Sequence, residues 1–424
     1  MKLTARIIAI SCISILTSLS CFAKVWSVAD FGAKGDGHTL DTEAIQTAID
    51  AAAEAGGGTV EVPAGTFLTG SIWLKDNIDF HLCPGAVLLG SPNLDDYCAA
   101  DCCPQNYASP RTGDNTSGGH LLLGVGVKNV TVRGPGKIDG NSQEFFLNGN
   151  YVDVGKKVTL PDRPGQMIWF VDSKDIRISD LEIANSPYWS CFILNCERVW
   201  IRGCKVHTER NEFKAHNGDG IDIDRCRFVH ISDCNIDTHD DCITLRASCG
   251  ELLQSPQDCE YITVSGCTLS SDCNAIRVGV GEGTVKNAVL SDLVIYNTSS
   301  AFNLVSGYTR TERGTDINNI YFSNIYVEAE RLMKVHHMRS DCAEFSDIVF
   351  DGIHGKVSGD SQIWAKKDFP FKDILLRNVE VDSEFECINA DVKVVGGKFK
   401  KKRIPAQLMK ERQQNIAQEK KLLY

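Results

Sequence analysis

The chain has 424 residues, 43% of them hydrophobic, and its 44 basic against 55 acidic side chains give a formal charge of −11. That length accommodates two or three ordinary domains or one elongated repeat domain. The apolar share suffices for a large core, and the acidic balance argues against a general nucleic-acid binder.

Residues 1–23 read as a secretory leader. Lys2 and Arg6 precede a short apolar run, and Cys21-Phe22-Ala23 offers small residues for cleavage. A lipid anchor on Cys21 fits less well, because Ser18 stands where Leu is usual. No other stretch is long enough for a transmembrane helix. The mature protein is therefore expected to be exported, whether periplasmic, on the cell surface or secreted. Export permits disulfides among the 18 cysteines.

Residues 41–52 predict a helix with Ala44, Ile45, Ala48, Ile49 and Ala52 on one face. Asp41 is its candidate cap and Gly56-Gly57-Gly58 its stop. Such a helix can cover the open end of a solenoid. Residues 92–118 and 141–163 lack periodicity and read as loops, of the kind that wall a binding groove.

From Lys128 onward one form recurs: a polar pair, an aliphatic, any residue, an aliphatic, then a turn. The segments begin at Lys128, Lys174, Glu197, Arg227, Glu260, Lys286, Asn318, Ser346 and Lys372. Periods of roughly 23–33 residues with short alternating strands predict an all-β chain, a right-handed parallel β-helix with an N-terminal capping helix. The wider gap from Val130 to Ile176 admits two turns, or one with a long loop. Cys196 and Cys204, Cys226 and Cys234, and Cys259 and Cys267 repeat in the same register. They predict buried, stacked thiols, whereas Cys98, Cys102 and Cys103 are the better disulfide candidates. The β-helix is expected to fill residues 24–397. Residues 398–424 form a basic tail, helical or disordered.

Residues 216–248 carry the chemistry. NGDG stands at 217–220 and HDD at 239–241, so Asp219 and Asp240 are 21 residues apart. If that spacing is one solenoid turn, Asp219, Asp240 and Asp241 meet at the same end of adjacent strands. Like charges held together push pKa values apart, so one carboxyl keeps its proton while a neighbour stays ionised. Hydrolysis of a glycosidic bond needs that division. The plainer reading is that Asp and Asn are common turn residues.

The chain resembles glycoside hydrolase family 28, the polygalacturonase-like pectin hydrolases. The resemblance rests on FGAKGDG at 31–37, GGGTVEVPAGTFLTGSIWLK at 56–75, GAVLLGS at 85–91, NSPYW at 185–189 and the two acidic motifs in order. It implies an inverting hydrolase with Asp240 as general acid and Asp219 and Asp241 activating water. It implies no metal and no organic cofactor. The departures matter as much. Asn274 stands where the family has His, and Asn303-Leu304-Val305 aligns with an Arg-Ile-Lys motif that holds a galacturonate carboxylate.

Asn217, Arg246, Asn274 and Arg277 are therefore the candidate substrate-binding residues. Arg246 and Arg277 can alternatively form ion pairs with Asp222 or Asp224. Arg310, Arg313, His336, His337 and Arg339 are further candidate cations, the two histidines fitting a structural role better. Tyr188 and Trp189 suit sugar stacking or packing, and His216 and His239 suit tuning of the acid or an ordinary surface role. The expected partner is a pectic polysaccharide or oligosaccharide, with rhamnogalacturonan or branched pectin favoured over plain homogalacturonan. The oligomeric state is left open. A calcium-dependent β-helix lyase and a non-catalytic glycan-binding β-helix are the alternatives.

Overall fold

The computed structural model describes residues 24–99, 102, 117–146, 152–154, 157–159, 162–209, 217–248, 252–306, 313–337 and 343–418. The leader, Cys103, His216, Arg310 and Arg339 lie outside these residues. No described helix is long and apolar enough to cross a membrane.

The strands pair in parallel, coil upon coil, in three sheets wound as a right-handed β-helix. The groove sheet stacks Leu122–Val125, Ile168–Val171, Cys191–Leu194, Ile221–Asp224 and Ile243–Ala247, then continues through Ile276, Phe302 and Met333. The second sheet stacks Lys128–Arg133, Lys174–Ser179, Glu197–Arg202, Arg227–Ser232 and Cys259–Ser265. The third stacks Lys137–Asp139, Glu182–Ala184, Lys205–His207 and Asn235–Thr238.

Alternation sends every second side chain inward, so each coil lays aliphatics upon those of the coil below. Ile168, Cys191, Ile221, Ile243, Ile276, Phe302 and Met333 form one such fully buried column. Each buried aliphatic or aromatic contributes about 1.5–3 kcal/mol of apolar burial. Lys174 pairs directly with Lys128, so the wide gap after Val130 is one coil with a long excursion. That excursion holds a short helix, Ser142–Phe146, and a hairpin of Val152–Val154 with Lys157–Thr159.

The second residue of all nine repeated segments lies in the left-handed region, from Asn129 (φ 55°) through Asn287 (54°) to Asp373 (52°). This explains the polar pair in the repeat: the chain turns into each strand of the second sheet through a conformation that Asn and Asp tolerate best. Phe228 and Tyr261 adopt it too, at φ 57° and 58°, as bulky residues rarely do. Their rings stack 5.1 Å apart on adjacent coils.

The expected thiol columns are present. Cys196, Cys226 and Cys259 are buried where the groove sheet turns into the second sheet, and Cys204, Cys234 and Cys267 where the second turns into the third. The Cys196 N–H donates to Cys226 Sγ at 3.3 Å.

The capping helix is Thr42–Glu54, with Ile45, Ala48, Ile49 and Ala52 buried. Asp41 sits at its N-cap, yet its carboxylate caps nothing there. It accepts instead from the N–H groups of Lys34 and Gly35, at 2.7 and 2.9 Å, tying the preceding turn to the helix start. At the other end the solenoid runs past residue 397. Phe399 is buried against Phe385, and Lys400–Lys401 pairs with Glu384 and Phe385. A final helix spans Ala406–Gln418.

Candidate active site

Ile221 pairs with Ile243, so the residues just before them lie side by side. Asp219 precedes the first strand, and Asp240 and Asp241 precede the second. The Gly220 N–H donates to the Asp241 carbonyl at 2.9 Å. A side chain at Gly220 would bring its Cβ within 2.5 Å of the Cys242 carbonyl, so glycine is what lets the two coils approach here. The three carboxylates thus converge as the spacing anticipates.

Asp219 and Asp241 are buried and Asp240 is half-buried. Burial, reinforced by the negative charge of Asp241, pushes the Asp240 carboxyl up to about 6, against the lowering effect of Arg277 and of the Cys273 thiol. Burial also drives Asp219 well above the carboxylate range, helped by Asp222, Asp240 and Asp241. Both oxygens of Asp241 accept hydrogen bonds. Arg277 Nη1 donates to Oδ2 at 2.9 Å and Asn274 Nδ2 donates to Oδ1. Asn303 in turn donates to Asn274 Oδ1 at 2.9 Å. The two asparagines that replace His and Arg of the family pattern therefore form a relay that orients one carboxylate.

Arg246 takes the ion-pair alternative. Its guanidinium lies 3.1 Å from Asp222 and 3.6 Å from Asp224, 4.2 Å above the Trp189 ring, and is buried. Burial raises Asp222 to about 7, with Arg246 opposing the rise. Asn217 accepts from Nη2 of Arg163 at 3.0 Å, and Arg163 itself is fully buried.

The remaining candidates divide by geometry. His239 Nδ1 contacts Asp272 at 2.8 Å, beside the acid. His336 is buried, with its pKa lowered by desolvation. His337 meets the Ala343 carbonyl and the Lys366 N–H, a structural role. Arg313 pairs with Asp316. Tyr188 and Trp189 stack on each other at 4.8 Å within a buried cluster.

Sequence reasoning missed Cys273, Arg163 and Lys334. Cys273 lies close to Asp240 and beside Asn274, whose amide donates to its Sγ at 3.1 Å, so its place in the site followed from that neighbour. Lys334 stands one coil beyond Asn303, which itself follows Arg277, on the outer face of the groove sheet. Only register reveals that position. Arg163 lies in a stretch without periodicity and gave no signal.

Asp240, Asp241 and Cys273 each offer a ligand atom within 4.8 Å of the others. The set does not suit calcium, which wants six to eight oxygens. It includes a thiol, and both oxygens of Asp241 already accept from Arg277 and Asn274.

The outer face of the groove sheet changes character along the axis. On the N-terminal side of the carboxylates Leu123, Trp169, Val171, Phe192 and Leu194 are fully buried, with Tyr188, Trp189 and Leu253 packed against them. On the C-terminal side the ladder reads Arg277, Asn303, Lys334 and Gln362.

A family model, Glycosyl hydrolases family 28, matches residues 106–396. The chain belongs to this family. A second model, Rhamnogalacturonase A/epimerase, pectate lyase-like, matches residues 25–93. The chain is 29% identical to a probable polygalacturonase of Vitis vinifera, over 72% of its own length and 61% of the relative. It is 28% identical to the exo-poly-alpha-D-galacturonosidase of Dickeya chrysanthemi, over 58% of its length and 45% of that protein. The matches thus span about half to three-fifths of these relatives. A hyperthermoactive exopolygalacturonase from Thermotoga maritima shares the fold, with a TM-score of 0.70 at 21% identity over 90% of this chain and 93% of that one. Within this family 28 chain, Asn274 donates to Asp241 and Asn303 donates to Asn274.

Proposed function

We propose that the protein is an exported hydrolase that cleaves glycosidic bonds in galacturonate-containing pectic chains, working from a chain end. The convergence of Asp219, Asp240 and Asp241 on adjacent coils carries this reading. Asp240, pushed up to about 6 by burial and by Asp241, holds the proton that the leaving oxygen needs in mildly acidic solution. Asp241, fixed by Arg277 and Asn274, takes the proton of the attacking water, and Asp219, driven upward by burial, helps position that water.

Two features refine the substrate. Among the described residues, the N-terminal side presents a buried apolar cluster, while the polar ladder on the other side suits a sugar chain. That asymmetry supports exo action. Arg246 and Arg277 are both bound to carboxylates of the protein. A uronate at the cleavage position would find five carboxylates and no uncommitted arginine among the described site residues. This supports a neutral sugar there, as in rhamnogalacturonan or branched pectin.

The family resemblance implies inversion. With Asp240 as the acid, inversion requires the water to sit between Asp219 and Asp241, on the far side of the sugar from Asp240. Proton NMR of fresh product decides the matter.

The test is product analysis on homogalacturonan and rhamnogalacturonan fragments, with and without chelator. The reading expects saturated end-derived products of inverted configuration, chiefly from rhamnogalacturonan. Asp240→Asn should lower the rate by about 10²–10⁴-fold. Unsaturated products that vanish with chelator would assign a lyase. Glycan binding without turnover in either form would assign a binding module.

A further inference from the structure

A second group of metal-ligating side chains lies on a different sheet, near the N-terminal end of the β-helix. Glu61 lies in strand Gly58–Val62, His81 in the next-coil strand Ile78–Leu82, and Cys83 just after it. Glu61 and His81 are direct register partners. Their chain neighbours Val60, Val62, Phe80 and Leu82 are buried in the core, so alternation turns Glu61 and His81 outward. Cys83 follows His81 by two residues, on the same side. One ligand atom from each of the three lies within 4.8 Å of the other two, and all three are half-buried.

The three donors are a carboxylate oxygen, an imidazole nitrogen and a sulfur. That mixture suits a borderline-soft divalent ion such as zinc, not calcium or magnesium. The charge balance allows it. Arg133, the register partner of His81 on the following coil, is held by Asp79 through a two-pronged contact at 2.7 and 2.8 Å. Its charge is thereby countered by a residue outside the triad. Burial, reinforced by the negative charge of Glu61, raises the Cys83 thiol above its usual range.

We infer that Glu61, His81 and Cys83 form a zinc-type site that clips two adjacent coils together near the N-terminal end of the β-helix, separate from the glycosidase centre. Binding releases the Cys83 proton to solvent and leaves a fourth position for water. The site adds a crosslink between two strands that both lie against the capping helix.

Cobalt(II) titration of the chelator-treated full-length protein tests this. Wild type should take up one equivalent at micromolar concentration with a thiolate-to-cobalt charge-transfer band. Zinc should displace the cobalt and raise the melting temperature. Cys83→Ser should remove the band, and His81→Gln should weaken binding at least about tenfold, as loss of one ligand does. Both variants should melt near wild type in chelator and lose the zinc response. Cys273→Ser and Cys102→Ser should keep the band, which separates this site from the catalytic carboxylates and from an exposed thiol. A band that survives Cys83→Ser, a band lost in Cys273→Ser or Cys102→Ser, or uptake only at millimolar metal would overturn the inference. Glycosidase assays on the same variants keep this result independent of the proposed activity.

Discussion

Replacing Arg277 by Met separates two roles that the sequence leaves open for this residue. In the structure its guanidinium sits 2.9 Å from Asp241, with side chains 10% and 2% exposed. Removing one partner of a buried ion pair typically costs about 3–5 kcal/mol. If catalysis needs Asp241 charged, that loss falls on the transition state. At 1.36 kcal/mol per tenfold it amounts to about 10²–10⁴ in kcat/KM. The pH profile adds a sign. Arg277 also lowers Asp240, whose carboxyl stands at about 6. Asp240 works as an acid only while protonated, so activity is present below that value and falls as pH rises through it. Without the cation Asp240 holds its proton to higher pH, and the alkaline limb must move upward. The assay is kcat/KM against pH on the best substrate, from pH 4 to 8, for wild type and Arg277→Met. If KM alone rises while the alkaline limb stays at wild-type pH, Arg277 contacts substrate and the argument for a carboxylate partner fails.

Three more outcomes follow from neighbouring contacts. Cys273→Ala removes a donor that lowers Asp240, so its alkaline limb should also move upward, while Cys273→Ser should keep the wild-type limb; identical limbs in all three would remove the thiol from the mechanism. Asp222 is raised from 3.8 to about 7, chiefly by burial. A raised carboxyl contributes stability that is full below its unfolded value and lost as pH rises through its folded one. The melting temperature should therefore decline between pH 4 and 7, and less steeply in Asp222→Asn; equal slopes would contradict this. Phe322 stacks on Phe350 at 4.6 Å and tilts against Phe302 at 4.9 Å in the core column. Phe322→Ala should cost about 3–5 kcal/mol in urea unfolding, and a loss under 1 kcal/mol would mean that the column collapses around the gap.

The solenoid was legible because its physics is local and repeated. Val130, Ile176, Val199 and Val229 sit at the same point of successive coils, and the residue before each is a left-handed turn, polar in all but Phe228. The acidic cluster was legible because the 21 residues from Asp219 to Asp240 fall one short of a coil, Ile221 pairing with Ile243, with Gly220 permitting the close approach. Other features depended on which face a residue takes and on what stands opposite. Arg246 reads equally well as a substrate ligand or an ion pair until Asp222 and Asp224 appear on either side of it. Asn274 and Asn303 read as losses until their amides are seen to serve Asp241. Asp41 reads as a helix cap, yet two N–H groups in the preceding turn compete successfully for its carboxylate.

These last residues connect substrate choice with acid strength. Asp219, Asp222, Asp224, Asp240 and Asp241 crowd one side of the groove sheet, with Arg246 and Arg277 between them. Burial and mutual repulsion raise Asp219, Asp222 and Asp240, which supplies a protonated acid near pH 6 without a histidine. The same repulsion makes the cluster a poor host for a further carboxylate. An arginine free to bind galacturonate would relieve it, but it would also lower Asp240 and shorten the pH range in which the acid keeps its proton. Committing both arginines to protein carboxylates therefore fixes two properties at once. On the proposed function, it sets the acid, and it leaves a uronate to be recognised outside the cleavage position.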